Sequence, residues 1–165
     1  MPLNLQNKKK IVSQINKIAS TALSVVIADS RGVTSNNITK LRALSRDVGV
    51  KINIVRNTLL NLAVQGTSFE CLKNTFNGPT LIAYSLEHPG SAARLLTTFS
   101  KNNINFKITG GAFEKKYLSI SQINTLAEIP TYNEAISLFM SLIKEIAAGK
   151  LVRTLVAISK KKENN

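Results

Sequence analysis

Leu23-Ser24-Val25-Val26-Ile27-Ala28-Asp29-Ser30-Arg31-Gly32 opens the stretch that decides the fold, and Val50-Lys51-Ile52-Asn53-Ile54-Val55-Arg56-Asn57-Thr58 closes it, just before Leu59 and Leu60. The first run is apolar and rich in β-branched residues, the pattern of a strand buried on both faces. The second alternates, as a strand with one wetter face does. Between them Ile38, Leu41, Leu44 and Val48 recur at helical spacing, and Gly49 stands where a helix C′ glycine belongs. The stretch therefore reads strand, basic turn, helix, strand, basic turn, helix.

Two strands joined through one helix are usually parallel, with a right-handed crossover. Their C-terminal ends then share one edge of the sheet, the edge where open α/β folds bind ligands. Arg31 and Arg56 are expected on that common rim. Each precedes a helix whose free N–H groups attract anions, so the rim suits phosphate. The competing reading is two solvated arginines in ordinary turns.

The 165 residues suit one domain, or one domain with an appendage, and 44% apolar content supplies a core. Net charge is +13, which points to a polyanionic partner. Residues 1–60 hold ten Lys and Arg against Asp29 and Asp47, so the anion-facing half is the N-terminal one. The chain is rich in Asn, Ile and Lys, as compositional drift would produce. The arginines are therefore the better guide, since a planar fork suits phosphate. No apolar signal core opens the chain and no apolar run approaches the ~20 residues of a membrane span. Cys71 is alone, which excludes an intramolecular disulfide or a CxxC metal site. A soluble cytoplasmic protein is expected.

Upstream, residues 3–22 read as a helix with Ile11, Ile15, Ile18 and Ala22 on one stripe. Lys8-Lys9-Lys10 lies in its early turns, either a solvated face or a phosphate-contacting arm. Downstream, Thr67-Ser68-Phe69-Glu70 is a capping-box pattern opening a short helix. Thr80–Tyr84 reads as a third strand. A helix starts after His88-Pro89-Gly90, with Pro89 at N1. Ile104, Phe106 and Ile108 alternate as a fourth strand, after which Gly110-Gly111 loosens the chain. Ser119-Ile120-Ser121-Gln122 is a second capping box. Tyr84, Phe106 and Phe113 read as core. The fold expected is α/β: a sheet of about four strands flanked by helices over residues 1–130, with an extended C-terminal helical spine over 131–165.

That spine is unusual. Thr131-Tyr132-Asn133-Glu134 is a third capping box. Beyond it polar residues keep to a narrow stripe, Glu134, Ser137, Ser141, Lys144 and Glu145, amid Ile136, Leu138, Phe139, Met140, Leu142 and Ile143. A helix through Ser159 would reach roughly 40 Å. So apolar a helix must be buried on most sides. It either folds back on itself at Gly149 or lies in the grooves of partner subunits. Leu151, Val152, Leu155, Val156 and Ile158 are the residues expected to face partners. Burying five such side chains is worth on the order of 7–12 kcal/mol before association costs.

Enzymatic chemistry finds little support. His88 is the only histidine and lies in a turn beside Pro89; Cys71 sits beside Leu72 and reads as packing. There is no Gly-rich phosphate loop of either common spacing. The carboxylates are scattered, so neither a general acid/base pair nor a metal site emerges, and no cofactor is implied. With 5% aromatics and no Trp, base stacking on a sheet face is not expected. Three readings compete: a scaffold joining RNA to protein, an α/β enzyme for a phosphorylated substrate, and a free RNA-binding regulator. The long apolar helix favours the first.

A resemblance supports that choice. Asp29-Ser30-Arg31-Gly32-Val33-Thr34, Val55-Arg56-Asn57-Thr58-Leu59-Leu60, Phe69-Glu70-Cys71-Leu72-Lys73, Gly78-Pro79-Thr80-Leu81-Ile82-Ala83-Tyr84, His88-Pro89-Gly90, Pro130-Thr131-Tyr132 and Ala148-Gly149-Lys150-Leu151-Val152-Arg153-Thr154-Leu155 resemble, in order, the bacterial stalk-base proteins of the large ribosomal subunit, the tenth large-subunit protein family. The match spans nearly the whole chain. It implies an α/β domain that binds large-subunit rRNA beside a neighbouring stalk-base ribosomal protein. It also implies a C-terminal helix carrying acidic stalk-protein dimers, which recruit GTP-bound translation factors, and no catalysis. Some members also repress their own messenger RNA. Carried over by position, Arg31, Gly32, Arg56, Asn57 and Thr58 fall where the family touches rRNA, and Leu151 to Ile158 fall in the spine. The Lys160–Asn165 tail departs from the more alanine-rich tails of relatives.

Overall fold

A computed structural model describes residues 4–103 and 105–163, with no account of the side chains at 74, 147, 148 and 161–163. It divides into two compact units, Met1–Ile129 and Pro130–Asn165.

In the first unit the elements run α1 (Leu5–Thr21), β1 (Ser24–Asp29), α2 (Ser35–Asp47), β2 (Val50–Ile54), α3 (Asn57–Val64), a 3₁₀ turn (Glu70–Thr75), β3 (Thr80–Ser85), α4 (Ser91–Asn102), β4 (Lys107–Phe113), β5 (Lys116–Leu118) and α5 (Ile120–Glu128). The sheet order is β2-β3-β1-β4-β5 and every neighbouring pair is antiparallel. The mixed α/β class is as expected, with five strands in place of about four. β1 and β2 do run in the same direction, since both are antiparallel to β3, but β3 lies between them. The local pattern of residues 23–60 fixes the direction of those two strands; the strand that separates them comes later in the chain.

Period-two alternation sends β1 and β3 into two cores. Val25, Ile27, Ile82 and Tyr84 face α1 and α3, meeting Ile15, Ala19, Leu60, Ala63 and Val64 over Phe69, Leu72 and Phe76. Val26, Ala28, Leu81 and Ala83 face the other way, against Leu41 of α2, Ala92, Ala93 and Leu96 of α4, and Ile123 and Leu126 of α5. Both faces of the central strands are covered, which is why they read as unbroken apolar runs. Each fully buried Leu or Ile contributes ~1.5–3 kcal/mol. Phe99 and Phe106 meet edge to face at 5.0 Å, sealing the α4 side.

Three local expectations are corrected. Gly110-Gly111 does not loosen the chain: β4 runs through both, and a bulge opposite Ile27 and Ala28 takes up Thr109. That strand begins at Lys107, just after Phe106, and Ile104 lies outside the described residues. A Cβ at Gly111 would sit 2.8 Å from the Val25 carbonyl oxygen, so the glycine serves close strand approach. The Thr67–Glu70 box does not form as a box. Thr67 Oγ1 accepts from the Phe69 N–H, the Glu70 carboxylate accepts from Gly66, and the segment closes as a 3₁₀ turn. Pro89 precedes the α4 cap instead of filling N1: Gly90 is the N-cap, its N–H donates to His88 Nδ1, and the Ala92 N–H donates to Ser85 Oγ. The boxes at Ser119 and Thr131 are both present. Gly49 ends α2 at φ +67°, the left-handed conformation a helix C-terminus asks of glycine.

The second unit is one long helix in three pieces: α6 (Tyr132–Lys144), a π-helical turn (Glu145–Gly149) and α7 (Lys150–Glu163). The chain does not fold back at Gly149; Lys150 keeps helical dihedrals of φ −66° and ψ −44°. No residue of α6 is buried.

Candidate nucleic-acid interface and apolar helix

The C-terminal ends of β1 and β2 flank the start of β3, with Asp29 opposite Thr80 and Ile54 opposite Leu81. The basic turns that follow therefore share one rim, about two strand spacings or roughly 10 Å apart. This is the rim the chain order of residues 23–60 implied, with β3 as its middle.

Arg31 is oriented, not loose. Its backbone N–H donates to Asp29 Oδ1 at 3.0 Å and its Nε lies 3.4 Å from Asp29 Oδ2, while its side chain stays 67% exposed. Gly32 follows at φ +71° and its carbonyl accepts from Asn105 Nδ2. Across the rim Arg56 is the exposed N-cap of α3, whose first N–H groups open there. Asn57 is half-buried, and its Nδ2 donates to Phe76 O at 3.1 Å and Gly78 O at 3.0 Å. Thr58 is exposed. Residues 54–58 and 78–80 line a shallow depression of about 540 Å³.

The segment between the two turns was missed by sequence reasoning as part of the site. Gly78 and Pro79 look like a chain break, yet they bind the two turns together. Pro79 O accepts from both the N–H and the hydroxyl of Ser30, at 3.2 and 3.1 Å. The Arg31 guanidinium lies across Gly78, where any side chain would collide with it. Lys107, the register partner of Asp29 on β4, is exposed and adds a further cation to this edge. In the sequence it is a lysine between Phe106 and Ile108 of the expected fourth strand, and it becomes informative only once the β1–β4 register is known.

Lys8, Lys9 and Lys10 lie on α1, Lys8 partly covered and the other two exposed. α1 packs along α3, with Asn16 Nδ2 donating to Ala63 O at 3.0 Å. Ile11 and Gln14 share a depression with Asn53 and Val55, immediately before Arg56. The lysine run thus leads into the helical turn beside the β2 end of the rim.

Among the described residues no three His, Cys, Asp or Glu side chains come together to hold a metal. Cys71 is exposed, not the packing residue expected, and the partial burial of its thiol raises it above its ordinary value, the wrong direction for a nucleophile. Glu70 is held below the usual carboxylate range by the Gly66 N–H and then Lys73, a structural turn pairing. No helix among the described residues is long and apolar enough to cross a membrane.

In the second unit Leu151, Val152, Leu155, Val156 and Ile158 are all exposed, as are Phe139, Leu142, Ile143 and Ile146. Leu155 is 65% and Ile146 74% exposed.

A family profile described as Ribosomal protein L10 matches residues 3–101. The chain belongs to the ribosomal protein L10 family. Curated relatives agree along the whole length. "Large ribosomal subunit protein uL10" of Buchnera aphidicola subsp. Baizongia pistaciae is 57% identical over 168 residues, covering 100% of both chains. The protein of the same name from Sodalis glossinidius is 56% identical over 163 residues, 99% of each chain. That from Klebsiella pneumoniae is 55% identical over 163 residues, again 99% of each. With family membership established, the chain is a structural ribosomal protein and not an enzyme.

Proposed function

We infer that this chain binds large-subunit rRNA through the Arg31–Arg56 rim and, with residues 131–165, carries acidic stalk-protein dimers. Residues 1–130 form the base of the ribosomal stalk, beside a neighbouring stalk-base ribosomal protein, in the large subunit in the cytoplasm. The dimers on the helix support recruitment of GTP-bound translation factors. Lys8, Lys9, Lys10, Arg31, Gly32, Arg56, Asn57 and Thr58 make up the RNA side. Leu151, Val152, Leu155, Val156 and Ile158 make up the protein side.

The observation that carries this reading is the exposed apolar helix. A chain with net charge +13 gains solubility from its charge, yet it leaves α6 and α7 apolar along their length with none of α6 buried. Such a surface is stable in water only when a partner covers it. An enzyme acting on a phosphorylated substrate needs no such helix. The rim supplies the complementary half: exposed guanidiniums beside helix N-termini, a phosphate-binding arrangement.

Deleting residues 151–165 tests the division of labour. The truncated chain should lose most binding to purified acidic stalk dimers in a pull-down, while retaining a stalk-base rRNA fragment at near-parental affinity. Retention of the dimers would remove α7 from the partner surface; loss of the RNA would make it part of the RNA-binding unit.

A further inference from the structure

We propose that the π turn at Glu145–Gly149 sets the rotational register of the helix, bringing Leu151, Leu155 and Ile158 of α7 into line with Phe139 and Ile143 of α6 as one strip on which an acidic, apolar-faced helical dimer sits side-on. The proposal rests on the partner-carrying role inferred above and adds to it the face by which the partner is held.

Each α-helical residue advances about 100° around the axis. Measured from Phe139, Ile136 at about 60°, Ile143 at about 40° and Ile146 at about −20° form the centre of the apolar side of α6, with Leu138 and Met140 flanking it at about 100° either way. The polar residues Ser137, Ser141 and Lys144 lie opposite, between about 140° and 200°. Continued as a plain α-helix, Leu151, Leu155 and Ile158 would fall at about 120°, 160° and 100°, over that polar side. Lys150 and Arg153 would fall on the apolar strip. The two halves would then present their apolar residues to nearly opposite directions.

A π turn holds one residue more than an α turn, so everything beyond it is set back by roughly 100°. Leu151, Leu155 and Ile158 return to about 20°, 60° and 0°, in line with Phe139 and Ile143, while Val152 and Val156 come to about 120° and 160°, off the strip. The ion pair across the turn reports the same rotation. Arg153 Nη1 lies 2.7 Å from Glu145 Oε1, although residues eight apart in an α-helix diverge by about 80°. Set back by one residue, they diverge by only about 20°. Gly149 lets the carboxylate stretch along the turn, since a Cβ there would sit 3.3 Å from Glu145 Cγ. Ser141, Lys144, Glu145 and Arg153 line one dent across the turn, together with Gly149 and Val152. The occupant follows from charge: residues 131–165 carry six bases against three acids, one of them, Glu145, already paired with Arg153.

The register predicts an asymmetry between removing a residue and adding one. In the full chain, deletion of Gly149 takes out the residue the π turn absorbs and leaves a plain α-helix with the same face. Insertion of one alanine after Gly149 turns α7 by about 100°. With purified acidic stalk dimers as probe, the deletion should bind within about threefold of the parent, and the insertion about tenfold or more weaker. Far-ultraviolet circular dichroism confirms that both keep their helix; deletion of Ala148 removes the same extra residue should the first variant unfold. A deletion that weakens binding about tenfold, or an insertion without effect, overturns the register. If instead the parent chain retains no dimers at all, it is the partner-carrying role itself that fails.

Discussion

In the phosphate-binding role proposed for it, Arg31 gains over an arginine in an open turn because Asp29 and the bare face of Gly78 hold its fork in place. Asp29 also costs some of its charge, but the pair is largely exposed and such pairs contribute little, so the guanidinium stays available to an RNA phosphate. Arg31→Ala combined with Arg56→Ala should flatten the dependence of log affinity on log salt, by about 0.9 for each duplex phosphate that is no longer neutralised. An unchanged slope in a salt titration with the rRNA fragment would remove the rim. Asn57 has a structural task besides the RNA contact proposed for it. Its amide nitrogen donates to the Phe76 and Gly78 carbonyls, which ties the rim loops together. At the core, the Tyr84 hydroxyl is buried without a hydrogen-bond partner among the described residues, and burial pushes its ionisation far above the ordinary tyrosine value. The folded state therefore holds the neutral form. That stabilises the fold fully below pH ~10, and the advantage falls by about 1.4 kcal/mol per pH unit above it. Tyr84→Phe should cost less than about 1 kcal/mol at pH 7, since no hydrogen bond is broken. It should also flatten the loss of stability between pH 10 and 11 in urea titrations.

At the scale of elements, what the chain made legible is what is local. The capping boxes at Ser119 and Thr131 involve residues three apart, and both form. The buried runs of β1 and β3 announce themselves because two cores cover them. The rim was legible because chain direction alone places Arg31 and Arg56 at one edge. What was not legible depends on register. β5 is three residues, Lys116–Leu118, and pairs only with β4, so no periodicity marks it. Gly110-Gly111 carries the usual signal of a loop, yet it permits β4 to lie close against β1. The Gly78-Pro79 pair is a turn in sequence and a tie between two basic turns in space. The π turn has no composition of its own; it shows only in the mismatch between two apolar periods. Gly111→Ala tests the strand reading directly. A methyl group 2.8 Å from the Val25 carbonyl must push β1 and β4 apart, at a cost of about 1–3 kcal/mol in chemical denaturation. A neutral substitution would mean that the pair is as loose as its composition suggests.

For the whole molecule the proposed function implies a separation of stability from partner capture. Residues 4–129 bury the two cores, and α6 contributes no buried residue to either of them. The melting transition should therefore belong to the first unit, while association belongs to the helix. Leu155→Asp separates the two. Leu155 is exposed, so the carboxylate meets water in the free chain, and surface changes of this kind stay within about 0.5 kcal/mol. Against a bound apolar partner the same carboxylate must be desolvated, which costs several kcal/mol and lowers affinity by more than about tenfold. Calorimetry of the full chain should thus show a melting temperature within ~2 °C of the parent, alongside a pull-down of acidic dimers that falls steeply. A drop of more than ~5 °C would place Leu155 inside the cooperative core, and the helix would then belong to the fold instead of to the partner.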